Sequence, residues 1–225
     1  MIAETLLSGL ERVLNRADSR CPILLDYERV ERHQRRVRDI ALYIADELGL
    51  SEEQKFVLWI AARFHDYSKA TWPADMEYKV LEEFSEYEKY LKEEHGHISR
   101  LYIENDLSTV NGQLGPLIDQ YSLQINQALE VIELHHADYN TGQDISIEAR
   151  ILRVADSYDA MRSLRFYRSK KNRMMDHHTV LMKLMNSIEK EVDPYIVKVI
   201  AEAPIEKLDG LYRYTRKIKR LSTHN

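Results

Sequence analysis

Three features of the sequence predict an all-α fold. Apolar residues recur at three- and four-residue spacing along most of the chain, and no segment keeps the strict alternation of a half-buried strand. Only 7 glycines and 5 prolines interrupt that pattern. At 225 residues, 44% hydrophobic and 31% charged, the chain is long enough to bury a substantial core and has an ordinary globular composition.

The first helix is expected over 2–15, where Ile2, Leu6, Leu10 and Val13 form one stripe, and Pro22 sits in the break that follows. A second, over 27–48, carries Val30, Val37, Ile40, Ala41 and Ile44 and ends in ELGL with Gly49. Ser51 and Gln54 form a capping-box pattern that opens a third helix through Val57, Ile60, Ala61 and Phe64. Residues 67–78, with Pro73, are expected to be irregular, 83–104 a charged helix and 105–116 a loop. A helix over 117–136 follows, then one along Ile147, Ile151, Val154, Tyr158 and Met161. Helices over 176–190, 194–203 and 207–220 complete the chain, with Asp193 as N-cap before an N1 proline, Pro194. The expected division is an N-terminal helix and connection at 1–26, the main helical domain at 27–203 and a basic segment at 204–225.

The net charge of −5 argues against a stable nucleic-acid partner. RYTRKIKRL, residues 213–221, is a local basic exception that reads either as a phosphate or membrane-surface contact or as a solvated helix end. Cys21 is the only cysteine, so no intrachain disulfide forms, which suits a reducing cytoplasm. MIAETLLSGLERVL carries Glu4 and Glu11 within its apolar spacing, an amphipathic helix rather than a signal core. No apolar run reaches the roughly 18 residues of a membrane span.

His65 and Asp66 close an apolar helix in AARFHDYSK, where a polar pair is costly unless something satisfies it. Continued helix would bring Lys69 to the same end. A histidine beside a carboxylate offers nitrogen and oxygen ligands for iron, manganese or zinc, although the dipeptide alone reads equally as a structural helix end. His33 sits mid-helix on the apolar side, and Asp156 lies between core positions in ARILRVADSYDAM, where a carboxylate without a cation is expensive. His135 and His136 are adjacent, so on a continuing helix they would point about 100° apart. Both face one object only if the helix ends there. Metal binding would explain the whole set.

This ordered series, His33, His65-Asp66 and Asp156, resembles the HD superfamily of metal-dependent phosphohydrolases. It is closest to the HD-GYP branch, helical bundles that hydrolyse cyclic di-GMP and related cyclic dinucleotides. The matching stretches are FHDYSK, EEHGHIS, ALEVIELHH, ISIEARILRVADSYDAMRSLRFYR and EVDPYIVKVI, spread over roughly 27–202, and the fourth is the most specific. The resemblance implies that His33, His65, Asp66 and Asp156 hold one metal, and that Asp66 bridges to a second held by His95, His135 and His136. His95 is preferred on register, because Ile98 and Ser99 match positions three and four after the family's histidine; His97 is the alternative. Lys69 resembles a lysine near the scissile phosphate, and Arg165 and Arg168 resemble arginines that meet the substrate's phosphates.

Two departures stand out. The family's third-metal arrangement uses a glutamate where this chain has Arg29, which favours a binuclear site and leaves Asp159 as a helix-surface acid. The segment ADYNTGQD after the histidines is short and lacks the Gly-Tyr-Pro signature, which bears on substrate choice more than on hydrolysis. The expectation is a phosphodiesterase with two divalent metals, iron or manganese first, and zinc, magnesium or nickel as alternatives. A metal-bridging hydroxide would attack a cyclic dinucleotide, cyclic di-GMP being the first candidate. The alternatives are hydrolysis of another nucleotide or phosphate ester, and a catalytically weak nucleotide-sensing module. The partner expected is a small-molecule nucleotide, and a homodimer is compatible with the sequence.

Overall fold

A computed structural model describes residues 2–17, 24–73, 75–76, 79, 81–110, 112–140, 144–163, 175–188 and 190–212. Cys21, Pro22, Arg165, Arg168 and the basic stretch 213–221 lie outside these residues, as does the side chain of Arg29. The described residues form helices and turns with no strand, an all-α bundle as expected.

Helix α1 spans Ile2–Ala17, α2 Leu24–Glu47 and α3 Glu52–Phe64. A 3-10 turn follows at Tyr67–Thr71, and another occupies Leu81–Glu83. Then come α4 (Glu86–Glu93), α5 (His95–Ser108), α6 (Gly115–Gln120) and α7 (Ser122–Leu134). The chain continues through α8 (Ile147–Arg162), α9 (His177–Asn186), α10 (Pro194–Glu202) and α11 (Ile205–Gly210).

Local chemistry sets several of these ends. Gly49 adopts φ +69, and Leu50 N–H reaches back to the Ala45 carbonyl at 3.0 Å, so α2 closes in a left-handed cap that only glycine takes without strain. Ser51 accepts from Gln54 N–H at 3.2 Å and Gln54 Oε1 accepts from Ser51 N–H at 3.1 Å, the reciprocal box that starts α3. Asp193 caps α10 through Tyr195 N–H at 2.8 Å, with Pro194 in the first turn.

The core lies where α2, α3, α7 and α8 meet: α2 packs on α3 and α8, and α3 packs on α7. Ala41, Ala45, Ala61, Ala62, Ala128 and Ala155 are fully buried among Ile40, Ile44, Leu58, Ile132 and Ile151. Small side chains let helix axes approach, while branched ones fill the space between. A smaller cluster of Met76, Leu91 and Ile98, flanked by Trp72 and Phe84, seats α4 against α5.

Three expectations are corrected. The charged helix over 83–104 is broken at Glu94, so that α5 begins anew at His95. The loop expected at 105–116 is largely helical. α5 runs to Ser108, held by buried Ile103 and Leu107 and by the Tyr67 hydroxyl donating to Asp106 at 2.6 Å. The helix over 117–136 is divided at Tyr121 into α6 and α7. No helix among the described residues is long and apolar enough to cross a membrane.

Candidate metal centre

Four helix ends and two helix interiors converge on one cluster of rings and carboxylates. The inward face of α2 supplies His33, one turn before core residue Val37. His65 terminates α3, and Asp66 begins the 3-10 turn. His95 opens α5, and His135 ends α7, with His136 next in the turn. Asp156 comes from the middle of α8. All but His136 are buried.

Because α7 stops at Leu134, the two neighbouring rings need not diverge: the His135 and His136 centroids lie 4.0 Å apart. His95 stands 5.1 Å from His135 and 4.6 Å from His136, while His65 stands 5.1 Å from His135 and 5.3 Å from His33. His97, the alternative to His95, faces away. It is exposed, and its Nδ1 pairs with Glu133 at 2.8 Å.

The orientation of each ring follows from what its Nδ1 meets. His65, His95 and His135 each direct Nδ1 at the backbone carbonyl three residues earlier: Ala62 at 3.0 Å, Lys92 at 2.7 Å and Ile132 at 2.5 Å. A carbonyl only accepts, so Nδ1 carries the hydrogen and Nε2 is left with its lone pair. His33 is set by a side chain instead, its Nδ1 donating to Asp159 Oδ2 at 2.6 Å. Such outer partners fix tautomer and ring angle in metal-binding histidines.

The inner atoms have no comparable partners. Nε2 of His33, His65 and His135 and Oδ1 of Asp66 are buried without a hydrogen bond. Unsatisfied buried polar atoms are rare because each forfeits its hydration, and four in one place fit a bound cation. Ligand atoms of three overlapping trios lie within 4.8 Å of one another: His33, His65 and Asp66; His65, His135 and Asp156; and His95, His135 and His136. Imidazole and carboxylate donors suit iron, manganese or zinc.

Asp66 lies between the two ends of the cluster. Its Oδ2 is 3.5 Å from His33 Nε2 and 3.4 Å from His65 Nε2, while Oδ1 is 3.3 Å from His95 Nε2. Lys69 Nζ donates to Oδ2 at 2.7 Å. Asp156 Oδ1 is 3.0 Å from His33 Nε2. Burial alone would raise both carboxyls. For Asp66, the neighbouring His65 imidazole and the Lys69 ammonium outweigh it and hold the group well below the usual range; for Asp156, the close approach of His33 and His65 does the same. His33 is opposed by burial, yet Asp156, Asp159 and Asp66 raise it to about 10.

Four further features were misplaced or missed at the level of sequence. Asp159, expected on the helix surface, is fully buried against His33, because α8 is enclosed on nearly every side. Ser68 and Ser99 bolt the 3-10 turn to α5: Ser68 N–H donates to Ser99 Oγ at 2.9 Å, and Ser68 Oγ donates to the His95 carbonyl at 3.0 Å. Both lie inside quoted motifs, so position in FHDYSK and EEHGHIS was the available signal. Gly96 lets α5 approach α7 closely. Arg153, one turn before Asp156, donates from Nη1 to His136 Nδ1 at 2.7 Å.

A search against curated proteins finds no match. A family model for the HD domain matches residues 30–161, more than half the chain and a span that contains every clustered histidine and aspartate named above. The chain therefore belongs to the HD domain family of metal-dependent phosphohydrolases.

Proposed function

We propose that the protein is a binuclear-metal phosphodiesterase of the HD-GYP type that hydrolyses a cyclic dinucleotide, with cyclic di-GMP the first substrate to test. The observation that carries the binuclear reading is the placement of Asp66, whose two oxygens face opposite ends of the histidine cluster. In this reading His33, His65 and Asp156 hold one ion, His95, His135 and His136 hold the other, and Asp66 is shared. When bound, the cations would supply Lewis-acid activation of water and neutralise the phosphodiester oxygens.

The chain's own side chains do the rest. The carbonyls of Ala62, Lys92 and Ile132 keep the Nε2 lone pairs of His65, His95 and His135 turned inward. Lys69, half-buried beside Asp66, brings a cation to the reacting phosphate and can protonate the departing oxygen. Arg165 and Arg168 take the substrate's other phosphate in this reading. The cyclic-dinucleotide assignment rests on the resemblance of 145–168 to HD-GYP sequences.

The short segment after His136 favours a second reading, hydrolysis of another nucleotide or phosphate ester. Its backbone is tied down, with Tyr139 and Asn140 N–H donating to the Glu191 and Lys190 carbonyls. The test is a substrate panel with Mn2+- or Fe2+-loaded protein, kept anaerobic for iron: cyclic dinucleotides, linear dinucleotides, cyclic mononucleotides and nucleoside triphosphates. The expected result is two ions per chain and preferential opening of cyclic di-GMP. Preferential turnover of another class selects the second reading. One ion or none, or no turnover across the panel, overturns the proposal.

A further inference from the structure

One turn of α8 brackets both nitrogens of a single imidazole. Asp156 Oδ1 lies 3.0 Å from His33 Nε2, and Asp159 Oδ2 lies 2.6 Å from His33 Nδ1. Residues three apart share a helix face, so α8 can present both carboxylates to α2 together. Asp159 nevertheless differs from Asp156 in what surrounds it. Arg36 donates to Oδ1 from Nε at 2.7 Å and to Oδ2 from Nη2 at 3.1 Å. Ser163 Oγ donates to Oδ2 at 2.9 Å, and the Tyr212 hydroxyl donates to Oδ1 at 2.7 Å. An ionised carboxylate has about four acceptor sites, and all are engaged. Asp159 has no lone pair left for a cation.

We propose that Asp159 is a positioning residue of the metal centre, acting through His33, and that Tyr212 takes part by holding Asp159. This rests on the metal-centre reading and adds to it residues beyond the ligands. The carboxylate fixes the hydrogen on His33 Nδ1, aims Nε2 at the cluster and makes that nitrogen a more basic donor. Arg36 balances the buried charge, so the carboxylate stays ionised where an isolated one would not. Tyr212 reaches this group from beyond α11, where Asp209 pairs with Arg162 and the guanidinium of Arg162 lies 5.0 Å from the Tyr212 ring. The segment after α11 is thus joined to a ligand of α2 through two hydrogen bonds, Tyr212 to Asp159 and His33 to Asp159.

The test is Mn2+ titration of the full chain, followed by the electron paramagnetic resonance signal of free Mn2+, beside Asp159→Asn and Tyr212→Phe. Asparagine keeps the shape but loses the charge and one acceptor. The expected result is a loss of about 10- to 100-fold in affinity for the ion at His33, with the other binding step little changed. Tyr212→Phe keeps the ring and removes only the hydroxyl, and is expected to weaken the same step by about three- to tenfold. Wild-type affinities in a folded Asp159→Asn protein overturn the role of Asp159. If that variant does not fold, unchanged affinity in Tyr212→Phe overturns it. A wild-type chain that takes up no Mn2+ overturns both this inference and the metal-centre reading.

Discussion

A Cβ placed on Gly96 would lie 2.9 Å from the backbone oxygen of Ile132, the same oxygen that accepts the His135 Nδ1 hydrogen. It would also stand 3.1 Å from the Glu133 oxygen and 3.3 Å from His135 Cε1. α5 and α7 therefore approach at the point where each contributes a clustered histidine, and the missing side chain is what permits it. Backbone cannot give way as a flexible side chain would.

Gly96→Ala should accordingly push α5 away from α7, costing about 1–3 kcal/mol. It should also part His95 from His135 and His136. Thermal melting and Mn2+ stoichiometry check this together. The expected outcome is a lower melting temperature and loss of one ion per chain while the other is kept. Two tightly bound ions in the variant would show that the close approach has no bearing on the site.

Proton release should accompany metal uptake, and its source is specific. Without metal, His33 holds its proton up to about 10, whereas burial and neighbouring histidines keep His135 well below its ordinary value. A cation takes the Nε2 lone pair, so His33 must give up a proton and His135 has none to give. Calorimetry near pH 8 in buffers of different ionisation enthalpy should find about one proton released at the first step. Affinity at that step should strengthen by about tenfold per unit of rising pH until the pH nears 10. The sign for stability is opposite. A raised folded-state pKa stabilises fully below the ordinary 6.5 and ceases to do so as pH climbs through about 10. The chelated protein should therefore lose melting temperature across that window, and the loaded protein should lose less. Uptake without proton release would contradict the charge state of His33.

Much of this was legible from sequence wherever the signal was local. The Ser51–Gln54 box, Gly49 and Asp193–Pro194 mark helix ends through chemistry within a few residues, and the structure has each in that role. Helix breaks at Glu94 and Tyr121 have no such mark. The break at Glu94 goes with a contact distant in sequence, where the start of α5 meets the 3-10 turn through Ser68 and Ser99. Asp159 was misread for the same reason. One-sided amphipathicity predicts an exposed face, and α8 has none around Asp156, Tyr158 and Asp159, all of them buried. The placement of His33, His65, Asp66 and Asp156 was readable as inward-facing polarity on apolar helices; what holds them in register was not.

The two ends of the cluster should load with unequal affinity, because Arg153 competes at one of them. A guanidinium can only donate, so His136 Nδ1 accepts from it and the ring's single hydrogen sits on Nε2, 3.0 Å from His95 Nε2. His136 stays neutral in this chain of donors. Desolvation of its ring, with the Arg153 guanidinium beside it, outweighs the pull of Asp156 and pushes it down to about 3, although its outer edge is exposed. So arranged, His136 offers no lone pair, whereas His65 and His135, with Nδ1 hydrogens given to backbone carbonyls, already do. A cation at the His95–His136 end must first displace the arginine. Arg153→Met should strengthen the weaker Mn2+ step several-fold, on the order of 1 kcal/mol, and leave the stronger one alone. A weaker second step in the variant would mean that Arg153 supports the site instead.

Shared ligation by Asp66 would have a consequence that separate sites would not. If its Oδ1 and Oδ2 serve opposite ends of the cluster, Asp66→Ala should abolish both ions and the hydrolytic activity together. His136→Ala should remove only the weaker ion. His97→Ala is the matching control, since that ring is exposed and paired with Glu133, and it should keep both ions. Lys69 complicates the comparison, because removing Asp66 also frees its ammonium, 2.7 Å away, to repel a cation. Asp66→Ala combined with Lys69→Met separates the two effects. Metal lost in the single variant but regained in the double one would assign the loss to repulsion. Metal lost in both would assign it to the missing ligand, the outcome a bridging carboxylate requires.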